Sequence, residues 1–257
     1  MSLLVWQTKY VVAAALIMPF APLLYLQGRL TRRRVGLLPN AAGSTSGVKG
    51  DANQAAELLV IGESTVAGLG AQTHETALAG QFAQQLHERI GKGLHWTVIG
   101  RNGVTAERTI RELVPHIPDK PFDYILVGLG GNDVIKLSSP RKWRRDMSAL
   151  LEILRRQSPK AIIFLANCPV IKLSPAIPQP INAILWQLSK LHDANIKELA
   201  AATEKVFYYH QPTDVPVGFF ADGIHPSEIG YAEWSRAMMK FFDENHEWKP
   251  RHQNTQI

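Results

Sequence analysis

Short uninterrupted apolar runs alternate along this chain with longer stretches whose apolar positions recur at helical spacing. The first run, Leu58–Ile61, ends at Gly62, and small residues and glycines follow before the helical stretch Ala77–Ile90. An apolar run of this length bounded by turn residues reads as a buried strand. Further strands are expected at His95–Ile99, Tyr124–Val127, Ala161–Leu165 and Lys205–Tyr208, in regular alternation with helical stretches. Between them lie helical Ala106–Val114, Arg141–Arg156 and Ile181–Ala202, and Ser227–Phe242 closes the series. Ser138 or Ser139, ahead of Pro140, supplies a helix start. Strands separated by helices of this length pair in parallel. The pattern therefore predicts an α/β fold of three layers, with a central parallel sheet of about five strands between helices.

A different pattern precedes this body. Tyr10–Leu26 is a stretch of 17 uncharged, mainly apolar residues followed by QGRLTRRR, at the lower end of the roughly 17 to 25 residues that cross a bilayer. It reads as an N-terminal hydrophobic helix that anchors the chain to a membrane. A cleaved signal peptide fits less well, because the charge follows the apolar run instead of preceding it. Pro19 and Pro22 would kink a spanning helix and leave an interfacial or core helix open. Four arginines after the segment, against Lys9 before it, favour a cytoplasmic-facing domain, with a periplasmic or secreted domain as the alternative. Residues 38–56 are rich in Gly, Ser, Ala and Asn and read as a flexible linker. The resulting division is an anchor with a basic flank at 1–37, the linker, a globular domain at 57–243 and a polar tail at 244–257.

Charge sharpens this division. The chain of 257 residues carries a net +6, of which residues 1–40 contribute +5 through Lys9, Arg29, Arg32, Arg33 and Arg34, with no acid. The remaining body is nearly neutral, which argues against nucleic acid as a partner. The single cysteine, Cys168, forms no intramolecular disulfide and builds no zinc site alone. After its apolar strand it reads as an inert buried thiol. His74, His87, His95, His116, His192 and His210 lack ligand-like spacing, so no metal and no cofactor is assigned. Trp143 and Trp186 read as packing residues.

In an open α/β sheet the functional loops follow the carboxyl ends of the strands. Here those loops carry GES with Ser64, RNGVT with Gly103, GGND with Asn132, and DGIHP with Asp222 and His225. Four such blocks in this order, each on a post-strand loop, resemble the SGNH hydrolases, also called the GDSL esterase and lipase family, over about residues 57–243. The resemblance implies a flavodoxin-like fold. It also implies that Ser64 is the nucleophile, His225 the base and then the acid, and Asp222 the group that orients His225. The backbone N–H groups of Ser64 and Gly103 and the Asn132 amide would be the oxyanion donors. Chemistry asks for the same set, since a serine hydroxyl needs a base and a tetrahedral oxyanion needs donors aimed at it. Glu63 stands where the family usually has aspartate, and it reads as a carboxylate accepting nearby backbone N–H groups. Asp133 reads as a structural partner or helix-start acceptor.

The loops around Ser64 bring Val134, Ile135 and Leu137, then Ile171, Leu173 and Ile177, and Val215, Val217, Phe219 and Phe220. Apolar walls suit an acyl chain. The expected activity is hydrolysis of carboxylic esters, small-molecule or lipidic, including lysophospholipid acyl esters, with the membrane as partner through the N-terminal segment. A carbohydrate O-acetyl esterase or acyltransferase, and an inactive tethered binding protein, remain as alternatives. Oligomeric state is not legible.

Overall fold

The computed structural model describes residues 2–36 and 38–248. The N-terminal segment forms helices Leu3–Ile17 (α1) and Ala21–Val35 (α2), joined by a single tight turn at Met18–Phe20. Both prolines sit in first turns, where a missing N–H costs no hydrogen bond. The resulting rod, Leu3–Val35, is 33 residues long and apolar enough to cross a membrane by length and composition.

The body then alternates as the pattern requires. Its elements are Ser46–Lys49 (β1), Ala56–Gly62 (β2), Leu78–Ile90 (α3), Leu94–Gly100 (β3), Ala106–Glu112 (α4), Tyr124–Gly128 (β4), Gly131–Ile135 (α5), Pro140–Gln157 (α6), Ile162–Leu165 (β5), Ile181–Ala201 (α7), Val206–Tyr208 (β6) and Glu228–Asn245 (α8). The sheet order is β1-β3-β2-β4-β5-β6. The five strands β2 to β6 are parallel, and each corresponds to an expected run.

Alternation along these strands builds two cores. Leu58, Val60, Tyr124, Leu126 and Phe164 face one side, where Phe82 and Leu86 of α3 and Met238 and Phe242 of α8 cover them. Leu59, Ile61, Ile125, Val127, Ile163 and Leu165 face the other, under Leu150 and Leu154 of α6 and Ile196 of α7. Successive residues of a strand point to opposite faces, so runs buried on both faces need helices on both.

Two expectations about boundaries give way to the structure. The stretch 38–56 is not all linker, since β1 pairs antiparallel with β3, placing Val48 opposite His95. The one large apolar residue of β1, Val48, stays exposed, so no apolar pattern announces a strand held by main-chain pairing. Nor does the core stop at 243: α8 continues to Asn245, and Trp248 is buried edge-on to Tyr124 and Phe164. The rest of the expected polar tail, residues 249–257, lies outside the described residues.

Candidate active site

Beside β2 the strand order reverses: β3 lies on one side and β4 on the other. Loops leave these three strands at this switch point, which is the usual ligand position in open α/β sheets. Three glycines in one register, Gly100, Gly62 and Gly128, end the three strands. A Cβ on Gly62 would lie 2.0 Å from the Gly128 carbonyl oxygen, and one on Gly100 would lie 2.5 Å from the Ala67 nitrogen. The bare row lets the turn after β2 settle directly on the sheet edge. There Val66 and Ala67 both donate their N–H to the Glu63 carbonyl at 2.9 Å. Ser64 is left at the top of the turn, 8% exposed.

The Glu63 side chain points to the neighbouring strand's loop. Its Oε1 accepts the Gly131 N–H at 2.7 Å, and its Oε2 accepts the Asn132 N–H at 2.8 Å and the Asn132 side-chain amide at 2.6 Å. The carboxylate thus caps α5 and fixes Asn132 at once. Burial raises its pKa to about 7, against the lowering effect of those hydrogen bonds. The expected backbone acceptor role is observed, and the side-chain bond to Asn132 adds to it. Helix α5 itself, only five residues long, shows no helical period in the residue pattern.

Asp133, fully buried, serves a neighbouring helix. It accepts from the Ala106 N–H at 2.9 Å, at the start of α4, and from the Ser138 hydroxyl at 3.0 Å. Burial lifts its pKa to about 6. It is the helix-start acceptor expected.

Gly103 belongs to the loop after β3, which the Arg101 N–H ties to the Gly62 carbonyl at 3.1 Å. It has φ of +81° and open space where a Cβ would be. Its carbonyl is held by Lys136 Nζ at 2.8 Å and Arg108 Nη1 at 3.1 Å. Lys136 is a positioning contact that sequence reading missed, since nothing but its place four residues after Asn132 marks it. The N–H groups of Ser64 and Gly103 donate to no backbone carbonyl among the described residues.

Asp222 and His225 form a closed unit. Asp222 Oδ1 accepts the backbone N–H of Ile224 at 2.8 Å and of His225 at 2.7 Å, and Oδ2 lies 2.8 Å from His225 Nδ1. A carboxylate there only accepts, so Nδ1 carries the proton and Nε2 is left as the basic nitrogen. Burial raises the Asp222 pKa, but hydrogen bonds from the His225 side chain and backbone and from Ile224 outweigh it and hold the carboxyl below its ordinary value.

Several contacts stitch this turn to the Ser64 turn. Tyr231 donates its hydroxyl to the Leu69 carbonyl at 2.6 Å, and Glu228 accepts from the Gln72 N–H and the Thr76 hydroxyl at 2.9 and 2.8 Å. At Gly70, φ is +94° and a Cβ would stand 2.1 Å from the Pro226 carbonyl oxygen. The structure therefore pairs Asp222 with His225 and Glu63 with Asn132. It does not join Ser64 to His225 by a hydrogen bond among the described residues. Nucleophile–base bonds are often open without substrate.

The apolar walls divide. Val134 and Ile171 are buried with Leu188 in a small core, against which Tyr10, Ile177, Leu185 and Trp186 pack. Ile135, Leu137 and Val217 are exposed. Trp143 is buried and stacks on His192, and Cys168 is buried too.

Comparison with known proteins adds a family and a fold. A family model described as GDSL-like lipase/acylhydrolase matches residues 60–233. A curated GDSL-like esterase of Mycobacterium tuberculosis is 24% identical over 183 residues, which cover 68% of this chain and 58% of that protein. Among solved structures, a lipase from a goat rumen metagenome superposes with a TM-score of 0.59 at 16% identity, over 72% of this chain and 96% of that one. A family two carbohydrate esterase from Clostridium thermocellum gives 0.53 at 12% identity, over 74% of this chain and 64% of that one.

Proposed function

Since the chain belongs to the GDSL-like lipase/acylhydrolase family, we propose that it is a serine esterase working through Ser64, His225 and Asp222, held at a membrane by its N-terminal helix. The carrying observation is the Asp222–His225 unit, whose 2.8 Å contact leaves Nε2 basic on a turn tied to that of Ser64.

In this reading Ser64 Oγ attacks the ester carbonyl while His225 Nε2 takes its proton, and Asp222 stabilises the imidazolium. The carbonyl oxygen becomes an oxyanion that accepts from the N–H groups of Ser64 and Gly103 and from the Asn132 amide. That amide has two hydrogens, and Glu63 takes one of them, so the second remains for the substrate. Collapse expels the alcohol, protonated by His225, and leaves an acyl-serine. Water, deprotonated by the same nitrogen, attacks that ester and releases the acid.

The solved neighbours include both a lipase and a carbohydrate esterase, so the fold does not choose the substrate. The exposed apolar Ile135, Leu137 and Val217 support an ester with an acyl chain. Labelling with a fluorophosphonate probe tests the reading. Wild type is expected to label, and Ser64→Ala and His225→Ala are not. A folded wild type that neither labels nor hydrolyses p-nitrophenyl esters would overturn it.

A further inference from the structure

The N-terminal rod does not stand off from the body. Near its start, Gln7 Oε1 accepts the Arg141 N–H at 3.1 Å, Trp6 is buried, and the Tyr10 hydroxyl donates to the Leu137 carbonyl at 2.7 Å. Near its end, Gln27 Nε2 donates to the Gln179 carbonyl at 2.6 Å, and Gly28 lies over Ile181. These two anchorages belong to the two loop systems that flank the proposed site. Leu137 follows α5, which carries Asn132. Gln179 follows the segment whose Ser174 hydroxyl and Ala176 N–H both donate to the Gly223 carbonyl, between Asp222 and His225.

The outer face of the rod is bare. From Leu4 to Leu30 eleven large apolar side chains are exposed, and at the α5 end of the rod so are Ile135 and Leu137. Arg32, Arg33 and Arg34 close α2, with no acid in residues 1–40. Apolar surface of this extent beside clustered arginines matches an anionic lipid surface.

Geometry then selects the orientation. Gln7 and Gln27 are twenty residues apart, which is about 30 Å along a helix, the thickness of a bilayer's hydrocarbon layer. A rod that crossed the membrane while docked at both points would drag the neighbouring flank of α6 and α7, with Arg141, Arg144 and Lys190, into that layer, where charge is expensive.

Resting on the esterase reading above, we propose that the docked rod lies in the plane of an anionic membrane surface, with its outer face in the acyl boundary. Exposed Ile135 and Leu137, at and just after the helix that carries Asn132, and exposed Val217, five residues before Asp222, then face the same layer. The ester is accordingly one carried by a membrane amphiphile, entering from the lipid side.

The full chain tests this in vesicles of phosphatidylcholine and phosphatidylglycerol. Cys168 is buried, so cysteines placed by Leu16→Cys, Leu137→Cys and Val217→Cys take an NBD label selectively. All three labels are expected to be quenched at least about twofold more by a quencher near the headgroup than by one at the acyl terminus. Deepest quenching at position 16, with positions 137 and 217 in water, would overturn the proposal in favour of a spanning anchor. Leu16→Glu with Leu23→Glu is expected to slow hydrolysis of methylumbelliferyl oleate in vesicles about tenfold, roughly one decade of lost partitioning, and to leave soluble p-nitrophenyl acetate turnover unchanged. An unchanged vesicle rate would overturn delivery from the lipid side. Absence of any p-nitrophenyl acetate turnover by wild type would instead defeat the esterase reading, whatever the labels report.

Discussion

Glu63 holds the Asn132 amide at 2.6 Å while capping the backbone of Gly131 and Asn132 with the same carboxylate. The shorter side chain usual at this position is replaced by one with an additional methylene, and the extra reach is spent on a neighbouring strand's loop. Three N–H donors converge on two oxygens, and only an ionised carboxylate accepts them all. Glu63→Gln presents one amide NH₂ to these donors and leaves at least one unmatched. Asn132 loses its fixed direction, so kcat at pH 8 is expected to fall about 10- to 100-fold, less than the ~10² to 10³ for removing an oxyanion donor outright. Steady-state kinetics on p-nitrophenyl acetate beside Asn132→Ala check this, with KM nearly constant in both variants. A Glu63→Gln enzyme as fast as wild type would show that Asn132 needs no such support.

The same group makes stability depend on pH. Glu63 titrates at about 7 in the folded chain against a reference of 4.5, so between these values the folded state holds more protons than the unfolded one. Stability therefore falls as pH rises from about 4.5 to about 7 and is flat beyond, with a loss on the order of 3 kcal/mol from this group. Asp222 acts oppositely and at lower pH, since its lowered pKa makes its contribution fade only on acidification below its unfolded value. Denaturant midpoints at pH 5 and pH 8 should show a decline for wild type that is flattened in Glu63→Gln.

Asp222 faces its own test. Asparagine in its place keeps the shape, but its amide NH₂ can face Nδ1 and turn the imidazole to the tautomer with Nε2 protonated, which cannot act as base. Asp222→Asn is expected to lower kcat about 10²- to 10⁴-fold with little change in melting temperature, and to slow fluorophosphonate labelling in parallel. Normal labelling in this variant would remove the orienting role.

How far sequence reading reached follows from what each element is made of. Strands β2, β4 and β5 announced themselves because both their faces are buried over most of their length, which demands unbroken apolar runs, whereas β3 and β6 alternate buried and half-buried residues and carry a weaker signal. Helix α6 was legible to its cap, as Ser139 accepts the Lys142 N–H ahead of Pro140. By contrast β1 is stabilised by main-chain pairing at an edge and has no apolar signature, and α5 is too short to show a period. The site blocks could be placed on loops, but the grip of Glu63 on Asn132 and of Lys136 on Gly103 joins separate strands. Nothing in residue spacing encodes a contact between loops 33 or 69 residues apart. The rod was legible as apolar, while its docking, through buried Trp6, packed Tyr10 and the polar contacts of Gln7, Tyr10 and Gln27, joins residues far apart in the chain.

Cys168 supplies a chemical check on the site assignment. Burial pushes its thiol well above the ordinary value, and the nearby Asp193 carboxylate pushes it further. Without thiolate there is no nucleophile. The folded protein is expected to leave a thiol reagent such as DTNB unreacted for hours and to titrate one thiol in guanidinium, and Cys168→Ala should keep esterase activity within about twofold.

The glycine row offers the most direct test of how the sheet builds the site. At Gly62 a methyl group would sit 2.0 Å from the Gly128 carbonyl oxygen and 3.0 Å from Val66 Cγ2, and neither neighbour can retreat. The first is backbone of β4 accepting the Glu63 N–H at 2.9 Å, and the second belongs to the Ser64 turn and is fully buried. Gly62→Ala must therefore part β2 from β4 at their carboxyl ends or lift the turn off the sheet. Either response costs about 3 kcal/mol or more, in the range of overpacked cores, and lowers the melting temperature by roughly 6 to 12 °C for a domain of this size. Whatever folds should also lose activity, because the displaced turn carries Ser64 and the Glu63 clamp together. Gly91→Ala is the matched control. It is also a glycine at positive φ, but nothing stands within 4 Å of its Cβ position, so its cost is limited to about 1 kcal/mol of backbone strain and leaves turnover intact. Equal melting temperatures for the two variants would mean that the close approach at Gly62 does not govern the site.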